Sequence, residues 1–362
     1  MHIEKHRRGR FTGVIAGMFM TLAAFAFMTA PAHASERLKL KVGWVQGTPA
    51  TALFVAQEKG FFDAEKIDAE LIPFATGPQN VTALAAKGIH FGASATVPYL
   101  NYVSRVHSKS QEIIAVASLF SNGSADFLSS GYVKSDRVLP SGFFVVREDS
   151  NIHTIRDLKG KTIAAGNGLQ TSPELYTRRI LMENGLTPKD MTYTTLGFEM
   201  MPGAVGSRTV DGAFMWEPFY SIARSKYKLR TLYTDTDVEK LLSPKSDKPW
   251  GAGGIMMLAS REYAEGNRDA VVRFLRAYKR ALNWTWKNME DAKLITAKFA
   301  KYDAAVAKEM VLTPGPRNGK VPMDSMRKIQ NLMIETGVLK QAVPGWPERY
   351  VDYQYLDAAV VE

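Results

Sequence analysis

The chain has 362 residues, 46% hydrophobic and 23% charged, with a formal net charge of +10 and no cysteine. The length asks for two domains, and the missing cysteines exclude disulfides, thiol nucleophiles, thiolate metal sites and a lipid-anchoring lipobox. The basic excess is scattered, so it reads as a solvated surface that helps attract anions, and no nucleic-acid partner is expected.

The chain begins MHIEKHRRGR, then FTGVIAGMFMTLAAFAFMTA, then PAHAS. A basic start, an apolar stretch and an Ala-x-Ala pattern at Ala32-His33-Ala34 make an export signal of residues 1–34, with cleavage expected after Ala34. The alternative is an uncleaved anchor, since the stretch is about long enough to span a bilayer; the Ala-x-Ala pattern argues against it. Arg7-Arg8 suggests a twin-arginine signal, but the residues after it fit poorly. Cleavage removes four basic residues and one acid, so the formal charge falls from +10 to +7. No other long apolar run follows, and the expected location is the periplasm.

After the signal, LKLKVGW (38–44) alternates as a strand, residues 49–59 read as a helix, and IDAELIPF (67–74) as a second strand. A helix over about 78–87 ends at Gly88, followed by a strand (89–93), a helix near 97–106 and the apolar strand IIAVASLF (113–120). Residues 121–142 break the rhythm with Gly, Ser and Asp; FFVVRED (143–149) resumes it. The pattern then repeats through KTIAAG, a helix from Pro173, TYTTLGF, a short helix and DGAFMW, until a second break at 243–254 precedes the strand IMMLAS. Alternating strand and helix predict an α/β fold with two parallel-sheet domains. The two breaks predict that 35–142 and 246–362 form one discontinuous domain and 143–245 the other, joined by a hinge crossed twice, with the ligand cleft between them. In the last piece, Val271, Leu275, Tyr278, Leu282 and Trp286 follow helical spacing, as do Ala292, Ile295, Phe299 and Tyr302; these aromatics are read as core.

In a parallel α/β sheet, ligands sit beyond the carboxyl ends of the strands, where loops enter helix N-termini. Such a terminus offers unpaired N–H groups and the positive end of the dipole, so it can hold an anion without Lys or Arg. Three loops of this kind occur: Thr76-Gly77-Pro78, the Ser94 to Pro98 stretch with hydroxyls at Ser94 and Thr96, and Thr171-Ser172-Pro173-Glu174. Each alone is also explained by ordinary capping; their recurrence in both halves favours one anion gripped from two sides. FMWEPF (214–219) ends another strand in the same position. There Trp216 is either a ligand wall or a core tryptophan, and Glu217 either pairs a ligand ammonium or is a first-turn acid. Catalysis finds little support: after the signal only His90, His107 and His153 remain, in no metal-ligand spacing, with no nucleophile elbow or Walker loop. The Gly166-Asn167-Gly168 run is too short for a dinucleotide loop.

Taken in order, VAQEKGFF, ALAAKG, DLKGKTIAAG, VDGAFMWEPF and WGAGGIMMLASREYAE make 38–340 similar to periplasmic binding proteins for nitrate, sulfonate and taurine, which serve ABC importers. The resemblance is strongest to the taurine and alkanesulfonate branch. It implies a type II periplasmic-binding-protein fold, a monomer without cofactor or metal, a permease and ATPase as partners, and a small organic anion in the hinge cleft. Site residues implied are Gln46, Gly47, Thr48, Gly77, Ser94, Thr171, Ser172, Trp216 and Glu217. Two departures stand out: segment 121–142 is longer than the pattern needs, and Ser207-Arg208 replaces a small turn before the Val-Asp pair. The competing classes are binding of nitrate or of a pyrimidine or aromatic ligand, and a thiamine-pyrimidine-synthesis enzyme of the same fold. A cysteine-free, exported chain weighs against the enzyme.

Overall fold

Strands and helices alternate along the chain of the computed structural model, which describes residues 37–120, 140–164, 171–242, 254–321 and 323–361. The expected export signal, the Gly166-Asn167-Gly168 run and most of the breaks 121–142 and 243–254 lie outside the described residues. The first piece runs β1 (Leu38–Val45), α1 (Thr51–Glu58), α2 (Phe61–Ala64), β2 (Ile67–Phe74), α3 (Gly77–Ala85), β3 (Phe91–Ala95), α4 (Thr96–Val103) and β4 (Ile113–Phe120). The second runs β5 (Gly142–Arg147), β6 (Thr162–Ala164), α5 (Ser172–Glu183), β7 (Thr192–Thr194), α6 (Met201–Gly206), β8 (Gly212–Trp216), α7 (Phe219–Lys226), β9 (Leu229–Thr234) and α8 (Asp235–Leu242). The chain returns through β10 (Ile255–Ser260) and then six helices: α9 (Arg261–Gly266), α10 (Arg268–Lys287), α11 (Met289–Ala300), α12 (Ala304–Glu309), α13 (Met323–Glu335) and α14 (Gln354–Ala358).

Two five-stranded sheets result, ordered β2-β1-β3-β10-β4 and β7-β6-β8-β5-β9. They are mixed, which corrects the expectation of purely parallel sheets: β10 is antiparallel to β3 and β4, and β5 to β8 and β9. The cause is connectivity. Each odd strand is the first after the chain passes from one sheet to the other. It therefore enters at the end where its neighbours finish and runs away from that end. Ile255 opens β10 opposite Ala95 and Phe120, the last residues of β3 and β4, and Gly142 opens β5 opposite Trp216, the last of β8. Helix α7, strand β9 and helix α8 were not read from sequence; LRTLYT of β9 is half-buried along most of its length and shows no clean alternation.

Three apolar cores hold the sheets. One face of the first sheet packs on α1, α10 and α11, where Val271, Leu275, Tyr278 and Leu282 are fully buried, as the helical spacing predicts. The outer face of the second sheet packs on α6 and α7 through Met201, Val205 and Phe219. The third core is shared: it runs from Val81, Tyr99 and Ile113 through Trp346 and Tyr350 to Phe144, Tyr176 and Phe214, so side chains of both sheets meet in one cluster. Tyr99 Oη, 2.7 Å from Ile113 O and 2.8 Å from Tyr350 O, ties the 338–351 segment to the first sheet. At the Ser207-Arg208 departure, Arg208 adopts the left-handed conformation (φ 65°), and its guanidinium bonds Asp149 at 2.7 Å on the surface.

Candidate functional site: a cleft between two helix N-termini

The strand ends of the two sheets face a common cavity of about 90 Å³. From the first sheet, β1 delivers Gln46, Gly47 and Thr48, and the β2–α3 junction delivers Thr76, Gly77 and Pro78. From the second come Thr171, Ser172 and Pro173 at the start of α5, Phe198, and Trp216 with Glu217 at the end of β8. Phe120, Ser141 and Ile255, where the chain passes between sheets, complete the wall.

Eight of the ten residues singled out from sequence thus line one cavity: Gln46, Gly47, Thr48, Gly77, Thr171, Ser172, Trp216 and Glu217. Ser94 and Thr96 do not. Ser94 is fully buried behind Gly77, with its hydroxyl donating to Ala95 O at 3.2 Å; a Cβ on Gly77 would come within 3.0 Å of that hydroxyl oxygen. Thr96 is buried and donates to Gly254 O at 3.4 Å. Both side chains turn away from the strand end, the first into the α3 interface and the second toward the return strand. Thr76, named in sequence as part of its loop, also lines the cavity, whereas Ser141, Phe120, Phe198 and Ile255 carried no signal of their own.

Capping decides which donors are available. Thr76 Oγ1 accepts the Gln79 N–H at 3.1 Å, Thr76 O accepts the Asn80 N–H at 3.3 Å, and Pro78 has no N–H. Of the first turn of α3, Gly77's own N–H is therefore the donor left for a ligand. In α5 the N-cap is Thr171, which makes no side-chain capping bond, and Ser172 is the first helical residue, before Pro173. Ser172 is thus not a cap; its N–H and hydroxyl are placed at the cavity without a partner among the described residues.

Among the described lining residues there is no Lys, Arg or His, and one acid. That acid, Glu217, is 6% exposed. Burial pushes its carboxyl up to about 7, against the pull of the Ser221 hydroxyl and N–H and of the Arg224 and Lys293 charges. Its Oε2 accepts the Ser221 N–H of α7 at 3.4 Å, so it serves its helix and faces the cavity at once. Trp216 likewise does both: its edge packs on Phe214 at 5.2 Å while it lines the cavity. Behind Ser141, Asp235 is fully buried and accepts the Ser141 hydroxyl at 2.8 Å; burial pushes it up to about 7. The two sheets also touch across the cleft mouth. Tyr302 donates to Gln46 Oε1 at 3.3 Å and meets the Phe219 ring edge-on at 6.1 Å.

The histidines lie elsewhere. His90 Nδ1 accepts the Lys41 N–H at 2.8 Å, and His153 Nδ1 lies 2.7 Å from Arg230 Nη1. Among the described residues no cluster of His, Asp and Glu could hold a metal. The site can therefore surround a small molecule with neutral donors, one buried acid and apolar walls.

The NMT1-like family model matches residues 33–300. A Bacillus subtilis protein named for binding aliphatic sulfonates is 23% identical over 321 residues, 88% of this chain and 86% of that one. Among solved structures, the alkanesulfonate-binding protein SsuA from Xanthomonas axonopodis pv. citri, bound to MOPS, superposes with a TM-score of 0.65 at 18% identity, over 85% of this chain and 96% of that one. A ligand-binding component of an ABC-type import system from Staphylococcus aureus superposes with a TM-score of 0.67 at 14% identity, over 89% and 99%. At such identities the structures show the shared periplasmic-binding-protein fold, and with the family model matching more than half of its length, the chain belongs to the NMT1-like family.

Proposed function

We propose that this protein is the solute-binding component of an ABC importer, not an enzyme, and that it takes a small organic anion, a sulfonate or taurine-like compound, in the cleft. The observation that carries the reading is the opening of two helix N-termini, from opposite sheets, onto one cavity whose described lining has no Lys, Arg or His. Helix termini and hydroxyls bind anions through fixed dipoles. The rest of the wall, with Trp216, Phe198, Phe120, Ile255 and four prolines, suits an organic substituent better than it suits bare nitrate. The names of the relatives support the same ligand class and the transporter partnership.

On this reading, residues 35–142 and 246–362 form one domain and 143–245 the other; the division of strands between the two sheets supports it. The chain is exported, cleaved after Ala34, and works as a periplasmic monomer delivering its ligand to a permease and ATPase. Among the described residues no helix is long and apolar enough to cross a membrane. The test is calorimetry of the chain from Ser35 with alkanesulfonates, taurine and nitrate. A sulfonate should bind one to one and raise the melting temperature in proportion to the logarithm of its concentration. Failure of every sulfonate, with nitrate or an aromatic ligand binding instead, overturns the ligand class.

A further inference from the structure

A second cavity, of about 630 Å³, lies at the other end of α4 from the cleft, between residues 101–107 and the segment 338–350. Helix α4 links the two: Pro98 near its start lines the cleft, and Asn101 and Val103 toward its end line the second cavity. The volume falls within the usual range for small-molecule sites, about 300–1,000 Å³.

Its lining is chemically one-sided. Arg105, His107, Lys340 and Arg349 line it, and no Asp or Glu does. Arg349 and Arg261 both pair with the buried carboxylate of Glu112, and Arg261 also lies 3.9 Å from Glu265. Arg105 and Lys340 make no ion pair among the described residues. Asn101 in the wall is 7% exposed, and its Nδ2 has no hydrogen-bond partner. Buried donors are nearly always satisfied, so an unengaged amide at the edge of a cationic cavity marks a place for an acceptor. Val103, Val106 and Leu339 give the wall an apolar part, beside the polar Ser104 and Gln341.

We propose that this cavity is a second ligand site, which takes an amphiphilic organic anion. Its carboxylate meets Arg105, Lys340 and the Asn101 amide, and its apolar body lies against Val103, Val106 and Leu339. Planar guanidinium and ammonium donors around a carboxylate supply the head-group recognition. The proposal stands apart from the reading of the cleft, whose lining residues are different.

The test is calorimetric titration of the full exported chain with octanoate, and with neutral octanamide as the uncharged control. Octanoate should bind at one site, equally in wild type and in the cleft variant Ser172→Ala. The double variant Arg105→Ala/Lys340→Ala should bind it at least tenfold more weakly, and octanamide should lose a similar factor on wild type. Ala342→Trp, which fills the cavity from an exposed position, should abolish binding while leaving the melting temperature of the free protein unchanged. Hydrogen exchange should slow in 338–344 on octanoate addition. Absence of binding, unchanged affinity in the double variant and in Ala342→Trp, or equal binding of octanamide would each overturn the proposal.

Discussion

Ser172 and Glu217 carry the chemistry of the cleft in opposite ways. A hydrogen bond to a charged group contributes about 1.5–3 kcal/mol, so Ser172→Ala should weaken sulfonate binding roughly ten- to a hundredfold. Because Thr171 and not Ser172 is the N-cap, the variant should keep its stability to within about 0.5 kcal/mol. Calorimetry paired with thermal melts reads both numbers; an affinity left unchanged would make this terminus structural only. For Glu217 the folded carboxyl titrates near 7, above the ordinary value of 4.5. The folded protein therefore holds more protons than the unfolded chain between those values, and stability falls as pH rises from about 4.5 to about 7. Glu217→Gln should remove much of that slope and stabilise the protein at pH 8 by on the order of 1–3 kcal/mol; Asp235, shifted the same way, leaves a residual slope. Ligand affinity should follow the same titration. A simple alkanesulfonate should bind more weakly as pH rises through 7, and taurine, whose ammonium can pair the ionised carboxylate, more tightly. Both trends should flatten in Glu217→Gln.

At the scale of elements, the placement of α3 depends on two glycines beneath it. A Cβ on Gly43 of β1 would sit 2.0 Å from Asn80 Oδ1, and one on Gly92 of β3 would sit 2.9 Å from Leu84 Cδ1. Bare backbone at these positions lets the helix lie close on the sheet, with its N-terminus at the strand ends. Gly43→Ala should destabilise by about 3 kcal/mol, the upper end for overpacking, and should lower ligand affinity by shifting Gly77; urea unfolding and calorimetry measure the two effects. Gly77 has its own constraint, since a side chain there would press on Ser94 and on Pro98, whose Cγ lies 3.4 Å from the Cβ position. Opening a strand at the cleft is the other device at this scale. It turns β5 and β10 antiparallel, and their first residues Gly142 and Ile255 sit at the strand ends beside Trp216 and Ala95.

For the whole molecule, the shared core has a thermodynamic consequence. Trp346 packs on Tyr99 of α4 at 5.6 Å, donates to Met326 O at 3.1 Å and belongs to the cluster that includes Ile113 of the first sheet and Phe144 and Phe214 of the second. Residues 37–362 form one unit, and side chains from both sheets should be lost together. Thermal unfolding should show one cooperative transition by both near- and far-ultraviolet circular dichroism. Trp346→Ala should lower it by about 3–5 kcal/mol without splitting it; two resolved transitions would mean that the sheets fold independently.

Much of this was legible in the chain itself. Strand and helix alternation and the residues at the strand ends follow from local periodicity and turn chemistry, because each depends on neighbours a few positions away. So Gly77, Thr171, Ser172 and Trp216, singled out from sequence, line one cavity, and the apolar seam of α10 is buried as its spacing predicts. Other features depend on residues far apart in the chain, and only the tertiary structure decided them. The direction of β5 and β10 is set by where a crossing chain enters a sheet. The burial of Ser94 and Thr96 is set by α3 and β10 packing over them. The two roles of Glu217 stayed open in sequence because a carboxyl's charge depends on the solvent it loses, and its burial is fixed only in the folded chain.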